Sequence, residues 1–173
     1  DQSTSKVGYA TSTDGITWTR YKGNPIIDRD SQDQDISVLK VSETSYYMYV
    51  EVDDSHIDLF TSSDGISWTA YETNPVKTTA ASPVVWKEGP NWYMLYEDMT
   101  PPVYDINLAT STDGKHWTDS PSNPVLSEPQ DTVPDSIVKD GATYHLYYHR
   151  NLGGGWPAFY ANSTDLTSWS NRT

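Results

Sequence analysis

The sequence predicts an all-β protein, a β-propeller of four-stranded antiparallel blades with repeats of about 50 residues. The motif Ser-x-Asp-Gly-x-x-Trp recurs at that step, with its aspartate at Asp14, Asp64 and Asp113, and a degenerate copy has Asp165. Aromatic residues form 13% of the chain and occur in short runs between turn-forming residues. Such runs favour strands, and no helical period accompanies them.

The second repeat shows the strand plan. Asp64-Gly65 is predicted to form a tight hairpin turn, because both positions of such a turn tolerate a positive φ. The predicted strands of this repeat cover residues 36–41, 46–50, 57–62 and 67–71. The third repeat follows the same plan at 83–87, 91–96, 105–111 and 116–119, and the last repeat at 136–139, 143–149 and 158–163.

The beginning of the chain supplies only two strands, at 7–12 and 17–21, so we expect about three and a half blades. They form one partial propeller domain, 1–173, with repeats at about 1–27, 28–76, 77–126 and 127–173. Propellers usually close with four or more blades. We therefore expect either a fragment of a longer protein or a ring completed by another copy, with self-association through the open blade edges.

The repeated Asp, Gly and Trp are interpreted as structural residues. The Asp side chain can accept backbone N–H groups in its turn, Gly supplies the left-handed residue, and Trp packs between blades. These three residues recur in successive blades, whereas a catalytic site occurs once.

Composition excludes several classes of function. The net charge of −13 argues against binding nucleic acid or an anionic membrane surface, and it disfavours strongly acidic polysaccharides. No apolar run is long enough to insert into a membrane. There is no cysteine, so no disulfide or thiolate site exists. The acidic surface suggests an extracellular or periplasmic location.

One face of the predicted propeller carries the candidate chemistry. The turns between first and second and between third and fourth strands are short and lie on one face. The loops between second and third strands, and those that join blades, are longer, acidic and lie on the other. Asp35 and Asp135 precede innermost strands on that face, so we expect them to converge near the central axis. Glu97 lies on the same face.

Converging carboxylates are suited to cleaving a glycosidic bond. One acid protonates the leaving oxygen, and one carboxylate acts as base or nucleophile. Clustering raises the pKa of one of them, which makes a proton donor available near neutral pH. The alternative is that a protein this acidic has carboxylates in all of its loops, without a catalytic role.

Substrate-binding candidates lie in or near the same loops, and no metal ligand set is predicted. The tryptophans could stack on sugar rings, although buried packing is commoner for Trp. The candidates are Asp33, His56, Trp86, His149, Arg150 and Trp156. The acidic run 28–35 could hold calcium, but it lacks the glycine and final glutamate of an EF-hand loop. No cofactor is expected to be required.

Three sets of segments carry a family resemblance: residues 8–18 with Asn24-Pro25-Ile26, Ser37-Val38 with 46–49, and 82–85 with 92–96. In these segments the chain resembles the five-bladed propeller glycosidases, the clan around glycoside hydrolase families 43, 32 and 130. It covers nearly the whole chain. It implies a five-bladed propeller when complete, with acidic residues at innermost-strand starts as general base, pKa modulator and general acid.

Asp35 and Asp135 match such positions, and the chain departs from the pattern elsewhere. The middle blade has Ser82-Pro83 where an acid would stand, and no innermost strand starts with glutamate. Glu97 is the nearest substitute for the proton donor. The predicted function is hydrolysis of neutral glycans, with Asp35 as base or nucleophile and Asp135 orienting or setting the pKa. The alternative is a non-catalytic propeller that binds glycans or serves a structural or assembly role outside the cell.

Overall fold

The computed structural model describes residues 4–173, and the regular secondary structure within that range is entirely β-strand. No helix there is long and apolar enough to cross a membrane. The strands are β1 (Ala10–Thr11), β2 (Thr19–Arg20), β3 (Asp33–Ser42), β4 (Ser45–Val52), β5 (His56–Ser62), β6 (Thr69–Ala70), β7 (Lys77–Thr78), β8 (Ala80–Glu88), β9 (Asn91–Asp98), β10 (Asp105–Ser111), β11 (Thr118–Asp119), β12 (Thr132–Asp140), β13 (Thr143–Arg150) and β14 (Ala158–Ser163).

The strands pair as successive antiparallel blades. The first blade holds β1 and β2 alone, the second is β3-β4-β5-β6 with β7 also on β5, the third is β8-β9-β10-β11, and the fourth is β12-β13-β14. An isolated bridge between Asn162 and Ser170 stands where the fourth blade would have its outer strand. The predicted all-β partial propeller is confirmed.

The turn between third and fourth strands differs from the predicted two-residue hairpin. β5 ends at Ser62 and β6 begins at Thr69. Asp64 Oδ1 accepts the backbone N–H groups of Ile66 at 2.8 Å and Ser67 at 2.7 Å, so these groups do not join the strand ladder. Those donors hold the pKa of Asp64 well below its usual range. The predicted tight hairpin is therefore wrong, and the fourth strands are shorter than expected.

The Asn of each Asn-Pro pair ties the segment that follows the fourth strand back to the third strand. Asn123 Oδ1 accepts the backbone N–H of Leu108 at 2.9 Å, and its Nδ2 donates to the Leu108 carbonyl oxygen at 3.0 Å. Asn24 makes the same pair of bonds to Tyr9, and Asn74 makes it to Leu59. The side chain thus substitutes for a missing neighbour strand.

Replacing Asn123 by alanine is expected to lower the free energy of unfolding by about 2 kcal/mol. The N–H of the buried Leu108 loses its partner, and the Leu108 carbonyl oxygen keeps only the N–H of Ser120 as a donor. Chemical denaturation measures this loss, with Ser122→Ala at the exposed neighbouring position as control. Equal stabilities for the two variants would contradict the role of the asparagine.

The hydrophobic core lies between the blades. Met48, Tyr49 and Val50 of β4 are all buried, without the alternation typical of a one-sided sheet, because both faces of this strand are covered. Tyr49 also donates to the carbonyl oxygen of Gly114 in the third blade at 2.6 Å. The same packing recurs between the third and fourth blades around Leu95, where it fixes the positions of the strand ends.

Two apolar surfaces remain uncovered by any described blade. Ile36 and Val38 of β3 are about half exposed, and so are Val138 of β12 and Tyr147 of β13. They lie on the second and fourth blades. Self-association through such surfaces stays a prediction.

Candidate active site

A β-bulge places the first functional side chain of the second, third and fourth blades. The pairing of each innermost strand shifts register between Gln34 and Ile36, between Ala81 and Val84, and between Pro134 and Ser136. The residues left without a ladder partner are Asp35, Ser82-Pro83 and Asp135. Bulges of this kind redirect side chains and are frequent beside active sites. Here they direct three polar side chains toward one cavity.

The cavity has a volume of about 780 Å³ and lies where the three blades meet. It is strongly acidic: six of its residues are carboxylates, and within residues 4–173 no lysine or arginine lines it. The lining residues are Gln34, Asp35, Glu51, Asp54, Ser82, Glu97, Met99, Tyr104, Asp131, Val133, Asp135, His149 and Trp156. The structure thus brings Asp35, Asp135, Glu97, His149 and Trp156 together, although they are far apart in sequence.

Ser82 stands at the centre of three carboxylates. Its hydroxyl lies 3.0 Å from Asp35 Oδ2 and 3.4 Å from both Glu51 Oε2 and Glu97 Oε2. Its backbone N–H donates to Glu51 Oε2 at 2.7 Å. One small residue therefore holds three acids from three strands within reach of each other.

Glu51 is a site residue that the sequence-based selection missed. It lies near the end of β4 opposite Gln34, as Glu97 lies near the end of β9 opposite Ala81, and His149 occupies the same position of β13 opposite Val133. The signal was present in the repeat, since Glu51 and Glu97 each follow a methionine by three positions in equivalent strands. Aligning the second strands of the blades would have found it.

The two glutamates are buried beneath the cavity surface, with 3% of Glu51 and 7% of Glu97 exposed. Burial raises the pKa of Glu97 to about 8, and the charges of Glu51, Asp131 and Asp35 add to the effect. Burial also raises the pKa of Glu51 to about 7, against the opposing bond from the Ser82 N–H. At neutral pH, Glu97 is therefore mostly protonated, and Glu51 is about half protonated.

The two aspartates have a different environment, because both are exposed to the cavity. Asp35 accepts the hydroxyl of Ser82 and meets solvent. Asp135 Oδ2 lies 2.5 Å from His149 Nδ1. Burial and the charge of Asp35 raise the pKa of Asp135, while His149 opposes the rise. The cavity thus combines a buried proton donor with an accessible carboxylate.

Glu51 makes stability depend on pH. The unfolded chain loses this proton near the ordinary carboxyl value of 4.5, whereas the folded protein keeps it until about 7. The stability that the protonated Glu51 gives the folded protein is complete below pH 4.5 and is lost as the pH rises through 7. Glu51→Gln removes this loss, so at pH 8 the variant is expected to be more stable than the unchanged protein by about 3 kcal/mol, at about 1.4 kcal/mol per pKa unit.

Unfolding measured at pH 4 and pH 8 tests this expectation. Glu43→Gln, at a turn carboxylate whose side chain is 93% exposed, is the control. The stability difference should shrink toward pH 4 for Glu51→Gln and be absent at both pH values for the control. If Glu51→Gln loses stability with rising pH as steeply as the unchanged protein, the raised pKa of Glu51 would be contradicted.

Two predicted binding residues of the second blade do not line the cavity. Asp33 is buried and paired with Arg29 at 2.8 Å, and Arg29 also contacts Asp58 at 2.6 Å. His56 lies beside the same cluster, with its Nε2 at 3.7 Å from Asp58. The bulge explains why Asp33 and Asp35 are separated. Simple alternation would put both side chains on the same face of β3, but the bulge turns Asp35 away from that face and toward the cavity. This ionic cluster fixes the loop before β3 to strand β5.

Trp86 and Arg150 also lie away from the cavity. The Trp86 ring stacks on Tyr93 at a centroid distance of 5.3 Å, and its Nε1 donates to Glu88. Trp86 lies at the end of β8 that is remote from Ser82. Alternation along a strand shows which face a side chain is on and not which end of the strand lies at the cavity. Arg150 donates to Gln130 at 2.7 Å, and its guanidinium lies 4.7 Å from the centre of the Phe159 ring. Trp86 thus packs against a neighbouring strand, and Arg150 holds polar groups of the loop before β12, including Glu128 at 3.5 Å.

No group of three or more His, Asp or Glu side chains within residues 4–173 is arranged to hold a metal ion. The acidic run 28–35 is divided among separate ion pairs, since Asp28 pairs with Lys6 while Asp33 pairs with Arg29. The calcium hypothesis therefore has no geometric support.

No protein-family model and no curated protein sequence matches this chain. Solved structures do match in fold. A thermostable family-43 glycoside hydrolase has a TM-score of 0.68 at 18% identity, over 86% of this chain and 53% of that one. A family 117 glycoside hydrolase of the marine bacterium Zobellia galactanivorans has a TM-score of 0.66 at 15% identity, over 96% and 61%.

A family 32 β-fructofuranosidase of Bombyx mori has a TM-score of 0.63 at 17% identity, over 80% of this chain and 34% of that one. This chain therefore matches between 34% and 61% of the lengths of these three proteins. Identities of this size establish the fold. The chain has the β-propeller fold of these glycoside hydrolases, of which it spans a part.

Proposed function

We propose that this chain carries the hydrolytic site of a propeller glycosidase that acts on neutral glycans. The observation that supports the proposal is the pairing of a buried Glu97, whose pKa burial raises to about 8, with an exposed Asp35 around one hydroxyl group. Two carboxyl groups in contrasting environments are what acid-assisted cleavage of a glycosidic bond requires.

Glu97 is the general acid in this proposal. Its proton, kept at neutral pH by burial, passes to the glycosidic oxygen as the bond to the anomeric carbon breaks. Asp35 acts on the opposite side of that carbon, either as the nucleophile or as the base that activates water. Asp135, held by His149, orients the substrate.

The charge of the cavity supports neutral substrates. Six carboxylates and no lining cation within residues 4–173 would repel a uronic acid or a sulfated sugar. Trp156, which is 48% exposed at the cavity wall, offers a ring face on which a sugar can stack. The extracellular or periplasmic location expected from the overall charge is consistent with such substrates and belongs to the same proposal.

The test is a hydrolysis assay of the purified protein on arabinosides, fructosides, galactosides and mannosides. We expect release of sugar from at least one class. Asp140→Asn, at an exposed carboxylate that ends β12, should leave that rate unchanged. Absence of turnover on every class, with the protein folded, would contradict the proposal.

A non-catalytic glycan-binding module is the second candidate, and it is favoured by the missing acid at Ser82. The same panel separates the two. Binding measured by calorimetry without sugar release, and lost in Trp156→Ala, would support a binding module. Sugar release that stops in Asp35→Asn would support the enzyme.

A further inference from the structure

We propose that Ser82 is a positioning residue whose hydroxyl proton follows the negative charge from Asp35 to Glu97 during bond cleavage. This inference rests on the proposed function and adds a role for a residue that stands where the resembled glycosidases have an acid. Ser82 does not react with the substrate itself. It acts through the two carboxyl groups that do.

The backbone fixes Ser82 for this role. It lies in the bulge of β8, is 5% exposed, and has a φ of 49°, a left-handed conformation that few non-glycine residues adopt. The bulge turns its N–H and its hydroxyl toward the same cluster of acids. The N–H is occupied by Glu51 at 2.7 Å, so the hydroxyl is the group free to change partner.

A hydroxyl has one proton and can donate it to one carboxylate at a time. Before the reaction, Glu97 is neutral and Asp35 accepts the shorter bond, at 3.0 Å against 3.4 Å for Glu97. As the bond breaks, Glu97 gives up its proton and becomes negative, while the charge on Asp35 is consumed by attack or by taking a proton from water. A rotation of the hydroxyl then moves the hydrogen bond to Glu97.

The charges around Glu97 explain why this donor matters. Glu51 on β4, Asp35 on β3 and Asp131 before β12 all face it, and each opposes the formation of its anion. The Ser82 hydroxyl is the opposing influence, since its bond lowers the pKa of Glu97. Without the Ser82 hydroxyl, the Glu97 anion that forms after proton donation would be buried among acidic side chains alone.

The experiment removes the hydroxyl and keeps the backbone N–H. Ser82→Ala and Ser82→Gly both do so, and glycine accepts the positive φ without strain. Carboxyl chemical shifts of ¹³C-labelled Glu97 and Glu51 are followed against pH by NMR, with Glu97→Gln used to assign the signal. Ser37→Ala is the control, because it removes an interstrand hydroxyl that contacts Val85 outside the cavity.

We expect the titration midpoint of Glu97 to rise by roughly half a unit or more in both Ser82 variants, with a smaller change at Glu51. On a substrate that the unchanged protein hydrolyses, kcat should fall about tenfold with little change in KM, as expected for a bond that strengthens only in the transition state. An unmoved Glu97 midpoint in both variants would overturn the inference.

The two proposals fail in different ways. A raised Glu97 midpoint without hydrolysis of any glycan by the unchanged protein would support the hydrogen bond and refute the glycosidase. Hydrolysis that Ser82→Ala leaves unchanged in kcat, together with an unmoved midpoint, would refute the role of Ser82 and leave the glycosidase standing.

Discussion

Replacing Asp35 by asparagine is expected to lower kcat for glycoside hydrolysis by about a thousandfold or more. The substitution keeps the size of the side chain and its hydrogen bond from Ser82 but removes the carboxylate that attacks the anomeric carbon or activates water. Positioned acid–base and nucleophilic groups contribute rate factors of about 10² to 10⁴. Because Asp35 acts mainly in the transition state, KM should change little.

Steady-state kinetics on the best substrate of the panel measure this loss. Thermal unfolding of Asp35→Asn should match the unchanged protein, and Asp140→Asn should keep full activity. A variant that retains a tenth of the activity or more would show that Asp35 is not the reacting carboxylate. Asp135 would then be the group to replace next.

Replacing Glu97 by glutamine is expected to have the second large effect, and the effect should depend on the leaving group. Hydrolysis of alkyl glycosides, which need a proton on the leaving oxygen, should slow by about 10² to 10⁴. Hydrolysis of dinitrophenyl glycosides, whose leaving group departs as an anion, should slow much less. This contrast is specific to loss of a general acid.

The pH profile gives the same assignment independently. Since burial raises the pKa of Glu97 to about 8, the activity of the unchanged protein should fall as the pH rises through that value and the acid loses its proton. Glu97→Gln should lack this alkaline fall, because its residual activity does not depend on that proton. Glu72→Gln, at an exposed position, is the matched control. Equal slowing of both substrate types would remove Glu97 from the acid role.

Much of the fold could be predicted because it repeats. The recurrence of the Asp-Gly-x-x-Trp motif, and the aromatic runs before it, locate the blades and their strands. The turn itself could not be predicted in detail, since the Asp64 side chain takes over backbone bonds that a hairpin would use. Asn123 is visible in the sequence as a repeated residue, but its hydrogen bonds to the main chain of Leu108 can be seen only in the folded structure.

The site could be predicted in part, for a topological reason. Asp35 and Asp135 were expected to converge because each starts an innermost strand, and both line the cavity. The central position of Ser82 could not be foreseen, since it depends on a bulge and on contacts between blades. Trp86 was misplaced because strand alternation reports the face of a sheet and not which end of it lies at the cavity.

The central claim is that a buried carboxylic acid and an exposed carboxylate share this cavity, and the pH titration of Glu97 in the unchanged protein tests it most directly. NMR of the labelled carboxyl carbon reports its protonation without any substrate. The structure predicts a midpoint near 8. A midpoint near the ordinary carboxyl value of 4.5 would mean that Glu97 carries no proton at neutral pH, and would contradict its assignment as the acid of a glycosidase.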